Sequence, residues 1–107
     1  MESFGDYIKA LRKHKNLNQT QLAAFLGLDM SAISKIENNK VVFKEQLLPK
    51  LSEIFELDFN FVKEKYFSEK FAYEVFKNSV PESVFRIAEE KVKHFKAINV
   101  KQIDLNL

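Results

Sequence analysis

The chain of 107 residues has no cysteine, only two glycines and two prolines, and only two histidines. Without cysteine there is no disulfide framework and no thiolate-ligated metal site. His14 and His94 read as ordinary surface or helix-end residues rather than ligands. The carboxylates are scattered and no glycine-rich phosphate loop is present, so no catalytic arrangement, metal or cofactor is expected. No apolar stretch is long enough to span a bilayer, and the start, Met-Glu-Ser-Phe-Gly-Asp, is acidic where a secretion signal is basic. A soluble cytoplasmic protein is therefore expected. What the chain does have is 46% hydrophobic residues, eleven of them phenylalanine, which suits a helical globular domain with a ring-filled core rather than a disordered chain.

Residues 17–39 carry the functional signal. Asn18 can cap a helix, with Gln21 three residues on as in a capping box. Leu22 and Leu26 form a buried stripe, and small Ala23 would admit a second helix closely. Gly27 falls where the chain must turn sharply. Asp29 can cap the second helix, and Ile33 and Ile36 point back into the core. Two short helices crossing through a tight turn are the helix-turn-helix used to read DNA.

The spacing resembles the lambda-repressor-like, or XRE, family of bacterial and phage regulators. Leu17, Gln19, Leu22, Ala23, Leu26, Gly27, Ile33, Ser34, Ile36, Glu37 and Asn38 match that family's pattern. Asn18 and Asp29 replace its usual Thr and Ser as caps, and Asn39 replaces its Gly at a left-handed position. The resemblance covers about the first two thirds of the chain. It implies an all-α fold with a five-helix DNA-binding domain over residues 1–66; beyond it, the residues themselves read as a C-terminal extension of about two helices over 67–107.

Charge is unevenly placed. From Lys9 to Lys44 seven Lys and Arg residues face only Asp29 and Glu37, whereas from Glu45 to Tyr66 acids outnumber bases. A solvated helical surface explains most charge runs, but this one coincides with the helix-turn-helix, as a footprint for phosphates should.

Local signals place the elements. Ser3 and Asp6 start the first helix, with Phe4, Tyr7, Ile8 and Leu11 on its inner face. The second runs Gln19 to Leu26 and the third, the recognition helix, from Met30 to Asn38. Leu47, Leu48, Leu51, Ile54 and Phe55 line a fourth, which either begins close to Pro49 or is kinked there. Asp58 caps a short fifth helix ending near Tyr66. Phe67, Phe71, Val75 and Phe76 mark a sixth, broken by Asn78-Ser79-Val80-Pro81. Ser79 and Glu82 resemble a second capping box ahead of a seventh helix. Ile103, Leu105 and Leu107 alternate with polar residues in a strand-like tail.

On a recognition helix in the major groove, Met30, Ser31, Ala32, Ser34, Lys35 and Asn38 are the candidates to face DNA. Lys35 could donate to guanine acceptors. Met30 could touch a thymine methyl but not bond adenine in bidentate fashion. Met30 and Ala32 equally fit a packed surface that reads nothing. The resemblance makes Gln19 a phosphate ligand at a helix N-terminus. Asn18, Lys40 and Lys44 flank the groove as the other expected phosphate contacts. It also makes Arg12 and Glu37 an ion pair bracing the first helix against the third.

These readings lead to a regulator that binds double-stranded DNA as a homodimer on a pseudo-palindromic operator. Phe71, Val75, Phe76, Val84, Ile87, Val92 and Phe95 in the extension are the expected dimerisation surface; the alternative is that they cap the monomer's own core. The run Ala88 to Val92 resembles controller proteins of restriction–modification systems. The rival reading is an antitoxin whose extension neutralises a toxin protein, with DNA binding as autoregulation.

Overall fold

The computed structural model describes residues 1–98 and is helical throughout, with α1 (Phe4–His14), α2 (Gln19–Leu26), α3 (Met30–Glu37), a 3-10 turn (Glu45–Leu47), α4 (Leu48–Ile54), α5 (Phe59–Lys77) and α6 (Ser83–Ala97). No strand occurs among the described residues. The tail in which strand-like alternation was expected lies outside them beyond Ile98.

The capping expectations in the first half are met atom for atom. Ser3 Oγ accepts from Asp6 N–H while Asp6 accepts from Ser3 N–H. Asn18 and Gln21 do the same at α2, and Asp29 accepts from Ala32 N–H at α3. These reciprocal bonds satisfy amides that the first turn leaves without partners. Pro49 lies in the first turn of α4, where its missing N–H costs nothing, so that helix begins beside it without a kink.

The ends of the helices show a shared device. After each of α1 to α5 one residue turns left-handed, and the N–H beyond it reaches back five residues. The bonds are Leu17 to Arg12, Leu28 to Ala23, Lys40 to Lys35, Leu57 to Ser52 and Val80 to Val75, at 2.8–3.1 Å. Only Gly27 meets this demand as glycine; Asn16, Asn39, Glu56 and Ser79 meet it with a side chain attached.

Two expectations are corrected. The fifth and sixth helices are one, because nothing from Phe59 to Lys77 breaks a helix and no Gly or Pro lies between them. Ser79 does not cap the last helix either. It is the left-handed residue that ends α5, and α6 opens without a side-chain cap through Val84 N–H to the Pro81 carbonyl and Phe85 N–H to the Glu82 carbonyl.

The chain divides into two units, residues 1–72 and 73–107. The core of the first gathers Phe4, Tyr7, Ile8, Leu22, Ala23, Leu26, Ile33, Ile36, Phe43, Leu48, Leu51, Val62 and Tyr66. Phe4 is its aromatic hub, with its ring 5.2–5.8 Å from those of Tyr7, Phe43 and Tyr66 in tilted or edge-on contacts. A glycine is required at position 5, since a Cβ there would overlap the Ile36 carbonyl oxygen and lie 2.6 Å from Asn39 Oδ1. That contact brings the start of α1 against the end of α3. In the second unit no described residue is buried: Phe76 is 81% exposed, and Tyr73, Phe85, Ile87 and Val92 are also exposed on helices otherwise rich in charge.

Candidate nucleic-acid interface

The unit that presents α3 is held by a buried polar chain. Arg12 Nε and Nη2 donate to Glu37 Oε2 and Oε1 at 2.6 and 3.0 Å. The third guanidinium nitrogen, Nη1, donates to the Leu17 carbonyl at 2.8 Å. The carboxylate is almost wholly enclosed, with a side-chain exposure of 1%. Its Oε1 also accepts from Gln19 Nε2 at 3.1 Å. Three elements thus meet on one carboxylate: α1 through Arg12, α2 through Gln19, and α3 itself. The charge-assisted bonds to Glu37 raise the Arg12 pKa above its already high ordinary value. Gln19, at the mouth of α2, is held by this bond and is half-buried.

Along α3, Ile33 and Ile36 are buried and Met30, Ser31 and Lys35 are exposed. Ser31 and Asn38 are engaged locally. Ser31 Oγ donates to the Asp29 cap at 2.9 Å, and Asn38 Nδ2 donates to the Ser34 carbonyl at 2.9 Å and faces Ser34 Oγ at 3.5 Å. Met30 and Lys35 make no side-chain hydrogen bond among the described residues, so they are the long side chains at liberty to reach outward. Two hydrogen bonds, from Ala32 N–H and the Ser31 hydroxyl, hold the Asp29 pKa below its ordinary value. Asn18 spends its Oδ1 on the α2 cap and keeps its amide nitrogen for other contacts.

Ala32 instead forms one wall of an apolar cleft of about 150 Å³, with Leu28, Ile36, Val41, Val42, Lys44 and Leu47 around it. Val42 is 76% exposed there, between Lys40 and Lys44, which are exposed too. Sequence reasoning named Lys40 and Lys44 but passed over Val41 and Val42 between them. An apolar run of Val41-Val42-Phe43 reads as core, yet only Phe43 turns inward. Gly5 and Tyr66 were also missed as determinants of this surface; both act through tertiary contacts that leave no local pattern.

A helix pair crossing at a glycine turn, with the second helix closed on its inner face and open on its outer one, defines a DNA-reading helix-turn-helix domain. Residues 8–62 match the family described as Helix-turn-helix. The chain belongs to this family, in its XRE-like branch, whose members are transcription regulators and not enzymes. It is similar to the HTH-type transcriptional repressor RghR of Bacillus subtilis (strain 168), with 40% identity over 60 residues covering 55% of this chain and 44% of that protein. It is also similar to the ImmF control region 10 kDa protein of Bacillus phage phi105, with 34% identity over 62 residues covering 58% and 69% of the two chains. The match therefore spans less than half the length of RghR. No solved structure matches. Among the described residues, no helix is long and apolar enough to cross a membrane.

Proposed function

We propose that this chain is a transcriptional regulator that binds double-stranded DNA as a homodimer on a pseudo-palindromic operator. The observation that carries the reading is the helix-turn-helix with the outer side of α3 open to solvent. In it α3 enters the major groove, where Met30, Ser31, Ala32, Ser34, Lys35 and Asn38 meet base edges. Lys35 supplies the long-range donor and Met30 an apolar contact for thymine methyls. Asn18, Gln19, Lys40 and Lys44 take phosphates and set register without choosing sequence. The name of the Bacillus relative supports repression as the sign of control.

In this reading residues 1–66 bind DNA and 67–107 dimerise. The exposed rings and branched side chains of the second unit support that assignment, since an isolated monomer gains nothing by leaving them in water. Phe71, Val75, Phe76, Val84, Ile87, Val92 and Phe95 supply an isologous contact that sets two copies of α3 about 34 Å apart, one turn of DNA. The test is selection of duplexes from a random pool by the full-length chain, followed by sedimentation with and without the selected DNA. An enriched inverted repeat bound by two chains is expected. No enrichment would refute the regulator, and a chain that stays monomeric on the DNA would refute the dimer. A neighbouring methyltransferase or nuclease gene would narrow the role to control of a restriction–modification system. A neighbouring small toxin gene would make the extension a toxin-neutralising surface.

A further inference from the structure

We infer that Tyr66 is a positioning residue for DNA binding: by holding the Phe43 carbonyl it fixes the loop that presents Lys44 to phosphate. The inference rests on the regulator reading above. Residues 40–44 lie outside the helices and strands, and few bonds tie them down. Lys40 N–H reaches the Lys35 carbonyl at one end, and the Lys44 carbonyl accepts from Leu47 N–H at the other. Between these, the Tyr66 hydroxyl donates to the Phe43 carbonyl at 2.7 Å, in a buried bond across 23 residues.

The phenol is itself rigidly placed. Tyr66 is 6% exposed, and its ring stands edge-on to Phe4 at 5.2 Å and to Phe67 at 5.2 Å. Burial raises its pKa, as does the nearby Glu45, so it remains a donor at neutral pH. The Phe43 ring would anchor its own residue without this bond, since it is buried and packs on Phe4. What the ring cannot fix is the rotation of the Phe43–Lys44 peptide plane. In a planar trans peptide the C=O and N–H point in opposite directions. With the Phe43 oxygen turned in to Tyr66, the Lys44 N–H is turned out. It has no hydrogen-bond partner among the described residues. Lys44 thus offers an outward backbone donor as well as an exposed side-chain ammonium, two groups that suit an anion. Glu45 beside them would repel phosphate, but Lys70 pairs with it at 3.7 Å.

The experiment is Tyr66→Phe in the full-length chain, which keeps the ring and removes only the donor. Affinity is read by fluorescence anisotropy on a selected duplex and on a random-sequence duplex, across a salt series, beside Lys44→Ala and the double variant. Both duplexes should bind about three- to tenfold more weakly, with a shallower salt dependence and unchanged base preference. The losses from Tyr66→Phe and Lys44→Ala should combine to less than their product, because they act on one contact. Without any variant, the Lys44 amide resonance of the wild-type chain should shift on adding duplex DNA. Equal binding by wild type and a folded Tyr66→Phe chain, fully multiplicative losses, or an unmoved Lys44 amide would each overturn the inference while leaving the regulator reading intact. A wild type that binds no duplex would overturn both.

Discussion

Replacing Arg12 by alanine should be among the most damaging single changes available to this domain. Its guanidinium makes two bonds to Glu37 and one to the Leu17 carbonyl, and the side chains it joins are 10% and 1% exposed. Were the pair on the surface, its loss would cost at most about 1 kcal/mol. Burial changes the outcome, because Arg12→Ala strands a carboxylate that cannot reach water and keeps only the Gln19 amide as partner. The expected loss is about 3–5 kcal/mol, about a fifth or more of the roughly 5–15 kcal/mol that holds a typical domain together. In urea, with a slope of about 1–3 kcal/mol per molar, the midpoint should fall by at least about 1 M. Lysine is no substitute, since one ammonium cannot form the planar fork that meets both carboxylate oxygens and the carbonyl together. The double variant Arg12→Met with Glu37→Leu should recover most of the loss by removing the stranded charge, while weakening DNA binding under the regulator reading, in which Gln19 takes a phosphate and here loses its anchor. A midpoint for Arg12→Ala within about 0.3 M of wild type would refute the reasoning.

Gly5→Ala should destabilise by about 1–3 kcal/mol, since the new methyl overlaps the Ile36 carbonyl, and thermal melts would report it. Glu56→Gly should do the opposite, adding up to about 1 kcal/mol by relieving a side chain held at φ 52°; an unchanged melting temperature would count against a strained position. Asp29 has a folded pKa below its ordinary value of 3.8, so its capping contributes stability above that value and loses it as pH falls through the lower folded one. Urea midpoints measured from pH 5 downward should therefore decline less for Asp29→Asn than for wild type. Under the regulator reading, Lys40→Ala should weaken all duplexes alike, whereas Lys35→Ala should also broaden the selected sequence; identical selections by wild type and the Lys35 variant would remove Lys35 from the reading set.

What the sequence made legible follows the range of the forces involved. The starts of α1, α2 and α3 were readable because a cap is written within four residues, as in Ser3 with Asp6 or Asn18 with Gln21. Ile33 and Ile36 were readable as inward because helical period fixes which side they share. The run from Phe59 to Lys77 was divided at Tyr66 to agree with a five-helix pattern, although the residues themselves supply no stop before Asn78. Ser79 with Glu82 shows the opposite hazard. A four-residue spacing can match a cap by chance, and here the serine serves the helix before it rather than the one after. At the candidate site, the outer residues of α3 could be named from spacing. The role of Gly5, the inward turn of Phe43 beside an outward Val42, and the bond from Tyr66 could not, because each depends on a partner at least 20 residues distant or on which of three adjacent apolar residues the core admits.

The enclosure of Glu37 has a practical corollary for anyone handling the protein. Dissolved ions cannot gather around a carboxylate that has 1% of its surface in contact with solvent, so added electrolyte leaves the Arg12 attraction nearly untouched. Under the regulator reading, the exposed lysines at 35, 40 and 44 enjoy no such shelter, because mobile ions compete directly for the phosphates they would hold. A molar salt wash should therefore strip adhering nucleic acid from a domain that stays folded throughout, and the same column fraction, once dialysed, should bind again without refolding.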